Sequence, residues 1–353
     1  MRVGERHMKD WTKSSRNRII LALGILLLIA AVLLNLCLGS AGITLPELYS
    51  AVFHRGEAGM AGNIFWLVRL PRTTAAFAAG AGLALSGAIL QSVLANPLAS
   101  PNIIGVNAGA GLGVTLFAAL NGYLGAKLGT LVFSGLGYAL CAFAGSLFAV
   151  LLVTTIAAKT GASKSTVILG GVALNSILNA VTESISVLDK DVAALNADFR
   201  VGGFSGVSFT RVIPGSILIL AGFLIIMTLR NELDVMTLGD ESARSVGLNV
   251  RRYRFFFIVI AALLAGASVS FAGLLGFVGL IIPHFIRRIA GNENRWLIPL
   301  SAVYGGAFVL FCDLGARMLF APFELPVGII LALLGGPCFV MVLLKEKGGH
   351  RNG

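Results

Sequence analysis

Long apolar runs recur along the whole chain, and the polar blocks between them stay under about 25 residues. A hydrocarbon core about 30 Å thick accepts a backbone only when its N–H and C=O groups pair within the segment, so runs of this length fold as helices. The expected fold class is all-α: a polytopic membrane protein of about ten transmembrane helices, with no room for a fused soluble domain. The runs lie near 19–38, 73–94, 102–120, 130–157, 165–187, 212–229, 255–273, 274–289, 297–317 and 326–344. The third and eighth are short or glycine-rich, and such segments lie within protein or beside a cavity because unpaired backbone cannot face lipid.

The 57% apolar content and 44 glycines among 353 residues lie outside the usage of soluble domains. A net charge of +11 would suit a nucleic-acid partner, but the basic residues cluster at the ends of apolar runs, where the positive-inside rule places them. With the N-terminus inside, 19 of the 27 Lys and Arg residues fall on the inner side and eight on the outer. An even number of spans returns the C-terminus to the inside. The expected divisions are an inner segment 1–18, one membrane domain 19–344 and an inner tail 345–353, with 188–211 and 318–325 on the outer face. The first run, about 20 residues, is longer than a signal-peptide core, so Gly39-Ser40-Ala41 is read as part of a retained chain rather than a cleavage site.

Span interiors such as "AAFAAGAGLALSGA" are dense in small residues, which lets helix backbones approach closely where lipid offers no hydrophobic drive. The G-x-G spacings among them follow no strand and signal no nucleotide. Cys37, Cys141, Cys312 and Cys338 all fall in apolar runs without metal spacing, and His284 stands without a second ligand nearby, so no metal site is expected. No Walker A sequence, Ser/His/Asp pattern or HExxH occurs, and the chain is read as not an enzyme.

Three groups of residues stand out. The fifth span carries Asn175, Asn179, Thr182, Glu183 and Ser186 along one helical face. Interhelical hydrogen bonds would explain the asparagines, but a carboxylate near mid-membrane points to a wet cavity or pathway. Arg69 and Arg72 in "RLPR" stand on the outer side, where lipid headgroups or a docking protein would supply an anionic partner; Asp313 and Arg317 can pair on one face of the ninth span. Between the sixth and seventh spans lies the polar stretch "LGDESARSVGLNVRRYR". Asp240 after Gly239 is expected to cap a short helix, with Ala243, Val246 and Leu248 as its apolar face, and "ELDVMTLG" is expected to form another turn before it. Two capped helices about a glycine make a rigid knob suited to docking.

"RLPR", "SGAILQSVLANPLASPNIIGVNAGAG", "LGDESARSVGLNV", "GFVGLIIPHFIRRIAG" and "ELPVGIILALLGGPCF" occur in this order between about residues 66 and 344. In these motifs the chain closely resembles the FecCD-like permeases, transmembrane subunits of type II ABC importers for iron-siderophore complexes, haem and cobalamin. The resemblance implies a pair of permeases, as homodimer or heterodimer, two cytoplasmic ABC ATPase subunits that hold ATP and magnesium, and an extracytoplasmic substrate-binding protein. It implies no cofactor on this chain, and a bacterial cytoplasmic membrane location. It assigns Leu238, Gly239, Asp240, Glu241, Ala243, Gly247 and Leu248, within 231–250, to ATPase coupling, and Arg69, Arg72 and Arg317 to binding-protein docking. Helices matching the fifth and tenth spans would border the pathway. The expected function is passage of an iron(III)-siderophore by alternating access, with haem or cobalamin as the alternative cargo. An ion-coupled secondary transporter, using Glu183 and Asp313, is the rival of a different class. The outer loop departs from the family pattern at Phe199, where many relatives place tryptophan.

Overall fold

A computed structural model describes residues 2–39, 44–53, 59–128, 135–159 and 164–349. Residues 40–41 of the cleavage motif, the expected start of the fourth span at 130–134, most of the inner loop near 160–163 and the last tail residues, 350–353, lie outside this set. Every regular element among the described residues is a helix, and none is a strand.

The first helix, α1 (Arg2–Cys37), leads to two short helices, α2 (Leu45–Phe53) and α3 (Gly59–Asn63), on the side expected to be outer. A π-helical stretch, Ile64–Arg69, then runs straight into α4 (Leu70–Leu94). Pro71 sits at the start of α4 and has no N–H to donate to the preceding turn, so the wider winding ahead of it costs no hydrogen bond there. Next come α5 (Val106–Leu128), α6 (Gly135–Lys159), α7 (Lys164–Leu188), α8 (Lys190–Val201) and α9 (Phe209–Thr228). The inner pair α10 (Arg230–Thr237) and α11 (Asp240–Ser245) precedes α12 (Val250–Ala272), α13 (Val278–Ala290), α14 (Asn294–Met318) and α15 (Val327–Gly349).

Seven of the described helices are long and apolar enough to cross a membrane, and α15 is apolar over Val327–Met341. With the 23-residue α5 and with α13 these make the ten expected, but three boundaries change. The eighth run is a half-helix: α13 has 13 residues, about 20 Å at 1.5 Å per residue, and does not cross a 30 Å core by itself. The inner segment 1–18 is continuous with the first span in α1, and α15 carries helix to Gly349, past the expected start of the tail at 345. The outer stretch 188–211 contains a helix, α8, whose first amides at Asp191 and Val192 are capped by the Asp189 carboxylate at 2.9 and 3.2 Å.

The helix α4 is the axis of the bundle. In its most apolar 18 residues 94% are buried, against 17% for α1 and 28% each for α7 and α9, which therefore present their faces to lipid or to other chains. Small residues allow α4 to touch several neighbours through backbone: a Cβ at Gly80 would strike the Gly305 carbonyl of α14, and one at Gly87 would strike the Gly279 carbonyl of α13. Toward α12, Ser86 Oγ donates to the Ala261 carbonyl at 2.6 Å. The irregular stretch 95–105 after α4 is anchored by buried Ala99, Pro101 and Ile104 while Ala95, Pro97 and Asn102 are exposed, and it pairs locally: Asn96 Oδ1 accepts from Leu98 N at 2.9 Å, and the Asn102 carbonyl accepts from Asn175 Nδ2 at 2.7 Å.

Because the neighbour at Gly87 is backbone, it cannot rotate away, and Gly87→Leu is expected to cost more than the ~1–3 kcal/mol of ordinary overpacking. Gly122→Leu, where no described atom lies within 4 Å of the place a Cβ would take, is the control. Thermal melting followed by size-exclusion profiles of the detergent-solubilised variants checks this: Gly87→Leu should lose the monodisperse peak and Gly122→Leu should keep it.

Candidate functional site

Three polar constructions sit on this scaffold, at the two ends of the bundle and on the exposed side of α7.

At the end expected to be inner, α10 and α11 form the expected two-helix knob. Gly239 between them has φ of +100° and Gly247 after them +86°, backbone angles that side-chain-bearing residues rarely adopt. Leu233 and Met236 of α10 are fully buried, and Asp234 Oδ1 accepts from both the backbone N and the Nδ2 of Asn294, at 2.9 and 2.8 Å, where α14 begins. Asp240 does not cap α11; Gly239 is the cap residue, without a side-chain bond. The Asp240 carboxylate instead turns to Arg254 Nη2 of α12, at 2.6 Å from both oxygens, and to Lys164 Nζ, at 3.6 Å, where α7 begins. Burial alone would raise this carboxyl, but Arg254 and then Lys164 hold it below the usual carboxylate range. Its ion pairs therefore contribute at neutral pH and are lost only as acid titrates the lowered value.

The apolar face of the knob differs from expectation. Ala243 is fully buried against its own subunit and its carbonyl accepts from Leu248 N at 3.0 Å, so it cannot enter another chain's groove. Leu248 packs half-buried against the core. The outward apolar groups are Leu238 and Val246, each 69% exposed, with Glu241 beside them. The reason is geometric: with six residues, α11 has one inward face, and the smallest side chain takes it where the backbone comes closest.

At the opposite end, Arg69, Arg72 and Arg317 come together, yet they are not free outer cations. They are only 3%, 7% and 4% exposed. Arg72 donates through Nε and Nη2 to Asp313 at 3.0–3.1 Å and through Nη1 to Glu324 at 2.6 Å. Arg317 shares the same Asp313 carboxylate at 3.3 Å and reaches Asn35 Oδ1 at 2.5 Å and the Leu38 carbonyl at 3.2 Å. Arg69 donates to the Leu36 and Cys37 carbonyls at 2.8 and 2.9 Å, satisfying the C-terminal end of α1. Among the described residues the cluster holds three cations against two carboxylates, of which Asp313 is fully buried and Glu324 is 30% exposed at its side chain. The two ends lie about 37 Å apart along the 25 residues of α14.

On α7, the expected stripe divides. Asn175, Asn179 and Thr182 line a polar cavity of about 220 Å³ together with Asn102, Asn107, Asn196 and Arg200. Ser186 does not face it openly: it is buried, donates to the Thr182 carbonyl at 2.9 Å and accepts from Asn196 Nδ2 at 3.2 Å. Glu183 is not at mid-membrane. It lies near the outer end of α7, exposed, and pairs with Arg200 of α8. Its charge is offset by the Arg200 guanidinium on whichever surface that face of α7 presents. Phe199 is buried edge-on against Tyr138, ring centroids 5.8 Å apart.

The partners that sequence inspection misses are Asp234, Arg254 and Lys164 at the inner end, Glu324 at the outer end, and Asn196 and Arg200 beside α7. Each binds a residue distant in the chain or on another helix, and no local spacing announces it.

A model of the FecCD transport family matches residues 27–345. The iron(3+)-hydroxamate import system permease protein FhuB of Bacillus subtilis is 34% identical, covering 96% of this chain and 87% of its own. The hemin transport system permease protein HmuU of Yersinia pestis is 32% identical over 93% and 96%. The vitamin B12 import system permease protein BtuC of Salmonella paratyphi A is 37% identical over 93% and 95%. A solved ABC transporter assigned to the metal-chelate type, in an inward-facing conformation, superposes with a TM-score of 0.79 at 26% identity over 93% of this chain and 99% of that one.

Among the described residues Asp313 is the carboxylate that touches both Arg72 and Arg317, so Asp313→Asn should leave two buried guanidiniums undercompensated and cost roughly 3–5 kcal/mol. Glu324→Gln, at a partly exposed pair, should cost no more than about 1 kcal/mol. Melting temperatures of the two variants in one detergent compare them directly.

Proposed function

The chain belongs to the FecCD transport family, and from that premise we propose that it is the membrane-spanning subunit of an ATP-driven importer for a metal chelate, most simply an iron(III)-siderophore. The named relatives are permeases of import systems for ferric hydroxamate, hemin and vitamin B12, and the chain is a multi-pass membrane protein of the same class. The observation that carries the reading is the α10–α11 knob. Leu238 and Val246 face outward from a mount tied to α14 by Asp234, to α12 by Arg254 and to α7 by Lys164. A knob fixed at three points passes a rigid-body displacement into three spans, which a flexible loop would absorb.

In this reading the knob seats on a cytoplasmic ATPase that holds ATP and magnesium, two permeases enclose the pathway, and both termini are cytoplasmic. Arg69, Arg72 and Arg317 receive a binding protein at the other end of α4 and α14. Since these arginines are already paired, docking exchanges Glu324, the partly exposed partner of Arg72, for a carboxylate of the binding protein. Such a contact steers association and weakens as salt shortens the Debye length to about 8 Å, so the association rate should fall as salt rises. Haem or cobalamin is the alternative cargo. An ion-coupled secondary transporter draws less support, because its two candidate carboxylates, Glu183 and Asp313, are both held in ion pairs.

The experiment is co-purification with the ATPase subunits plus uptake in the same cells. Leu238→Asp with Val246→Asp should leave folding intact, since both side chains are exposed, yet lower uptake and ATPase retention at least tenfold, the equivalent of about 1.4 kcal/mol. Freed of the ATPase, the permease should bind no ATP. Normal uptake and normal retention in the double variant would overturn the assignment of the knob.

A further inference from the structure

At the end of the bundle that carries the knob, the first turns of α12 border a cleft of about 340 Å³ against the end of α6 and the start of α7. Its floor is apolar: Ala157, Val167 and Ile258 line it and are buried. One wall is the Phe255 ring, which is 47% exposed, so the cleft is open along that side. The rim is basic. Arg251 and Arg252 line it and are exposed, while Arg254 lines it from a buried position with its charge committed to Asp240. No carboxylate occurs among the described residues that line the cleft.

Helix stability does not account for this combination. The first turn of α12 holds Arg251 and Arg252 and no acidic residue, the reverse of what the positive end of the helix dipole favours. The positive-inside rule places basic residues at run ends, but it does not ask for an apolar cleft beside them. Asp240 does not balance the rim, because its carboxylate is divided between Arg254 and Lys164.

The two surfaces together select the guest. A free phosphate would use the guanidiniums and leave the apolar floor in water. A neutral lipid would cover the floor but make no use of the basic rim. An anionic amphiphile does both, with phosphate oxygens accepting from the arginine forks and a chain lying on the apolar side. Basic pockets between spans are known receptors of acidic headgroups for this reason.

We propose that this cleft is a site for an anionic phospholipid of the leaflet beside the knob, its phosphate held by Arg251 and Arg252 and an acyl chain laid over Phe255. Arg254 of the same cleft holds Asp240 of the knob, so the bound lipid braces the mount of the knob from the membrane side. The proposal rests on the importer reading only for calling that leaflet the inner one.

The test is native mass spectrometry of the full-length chain in detergent, with phosphatidylglycerol and phosphatidylcholine as probes. Phosphatidylglycerol should bind about tenfold more tightly than phosphatidylcholine at one site, and the double variant Arg251→Gln with Arg252→Gln should lose that preference. Phe255→Ser should weaken phosphatidylglycerol by about tenfold, because the chain loses its wall. Arg288→Gln with Arg295→Gln, two exposed arginines at the same end but outside the cleft, should keep the affinity within about threefold. If the first double variant fails to melt cooperatively, Arg252→Gln alone carries the comparison. No preference for phosphatidylglycerol, or an equal loss in the Arg288 and Arg295 variant, would overturn the proposal by reducing the effect to general surface charge. Displacement of the lipid by inorganic phosphate, or an unchanged affinity in Phe255→Ser, would overturn it by leaving an ion site without a lipid. A double variant of Arg251 and Arg252 that keeps its lipid but loses the ATPase subunits on co-purification would assign the arginines to that partner, and would overturn it too. The lipid measurements need neither ATPase nor cargo, so failure of this site and failure of the importer reading are separately visible.

Discussion

The close backbone contact of α4 with its neighbours is the constraint on which the rest of the structure depends. Within hydrocarbon, helices gain nothing from hiding apolar side chains from lipid, so association rests on dispersion, close fit and hydrogen bonds. Gly80 and Gly87 bring α4 onto the backbones of α14 and α13, and Ser86 ties it to α12. A helix held in this way moves with its neighbours as one body. The half-helix α13 and the stretch 95–105 pack against the same core.

Both polar ends of the molecule are mounted on this body. The beginning of α14 holds the knob through Asn294 and Asp234, and its end carries Asp313 and Arg317 of the arginine cluster. A displacement at one end is therefore presented to the other along a single buried helix. The path to α7 is separate: Lys164 meets Asp240 at the inner end, and Glu183 meets Arg200 at the outer end, with the polar cavity between them. Thus α7 is connected to the knob by a partly exposed ion pair, whereas α14 is connected by neutral-to-charged hydrogen bonds at a buried helix start. The first link is the weaker in water, and so the easier to make and break during a cycle.

The order of polar and apolar runs decided much from the sequence alone: helices only, about ten of them, and a short structured island between the sixth and seventh. These follow because hydrocarbon forbids unpaired backbone whatever the packing, and because positive φ at Gly239 and Gly247 is a local property. Which residues would gather at each end was also legible in part, since Arg69, Arg72 and Arg317 stand at run ends and Asn175, Asn179 and Thr182 share one helical face.

What each of those side chains does was decided only by the tertiary structure. Ala243 and Val246 look equally available on a short amphipathic helix, yet one is buried in its own subunit and the other is exposed, because the direction of the core is not written in a six-residue segment. The outer arginines look free until Asp313 and Glu324 reach Arg72 from more than 240 positions away. Glu183 looks like a mid-membrane charge until α8, unseen in the sequence, sets Arg200 against it. Periodicity reports which face of a helix a residue occupies; the partner that face meets is set by long-range packing, which brings together groups whose separation along the chain carries no signal.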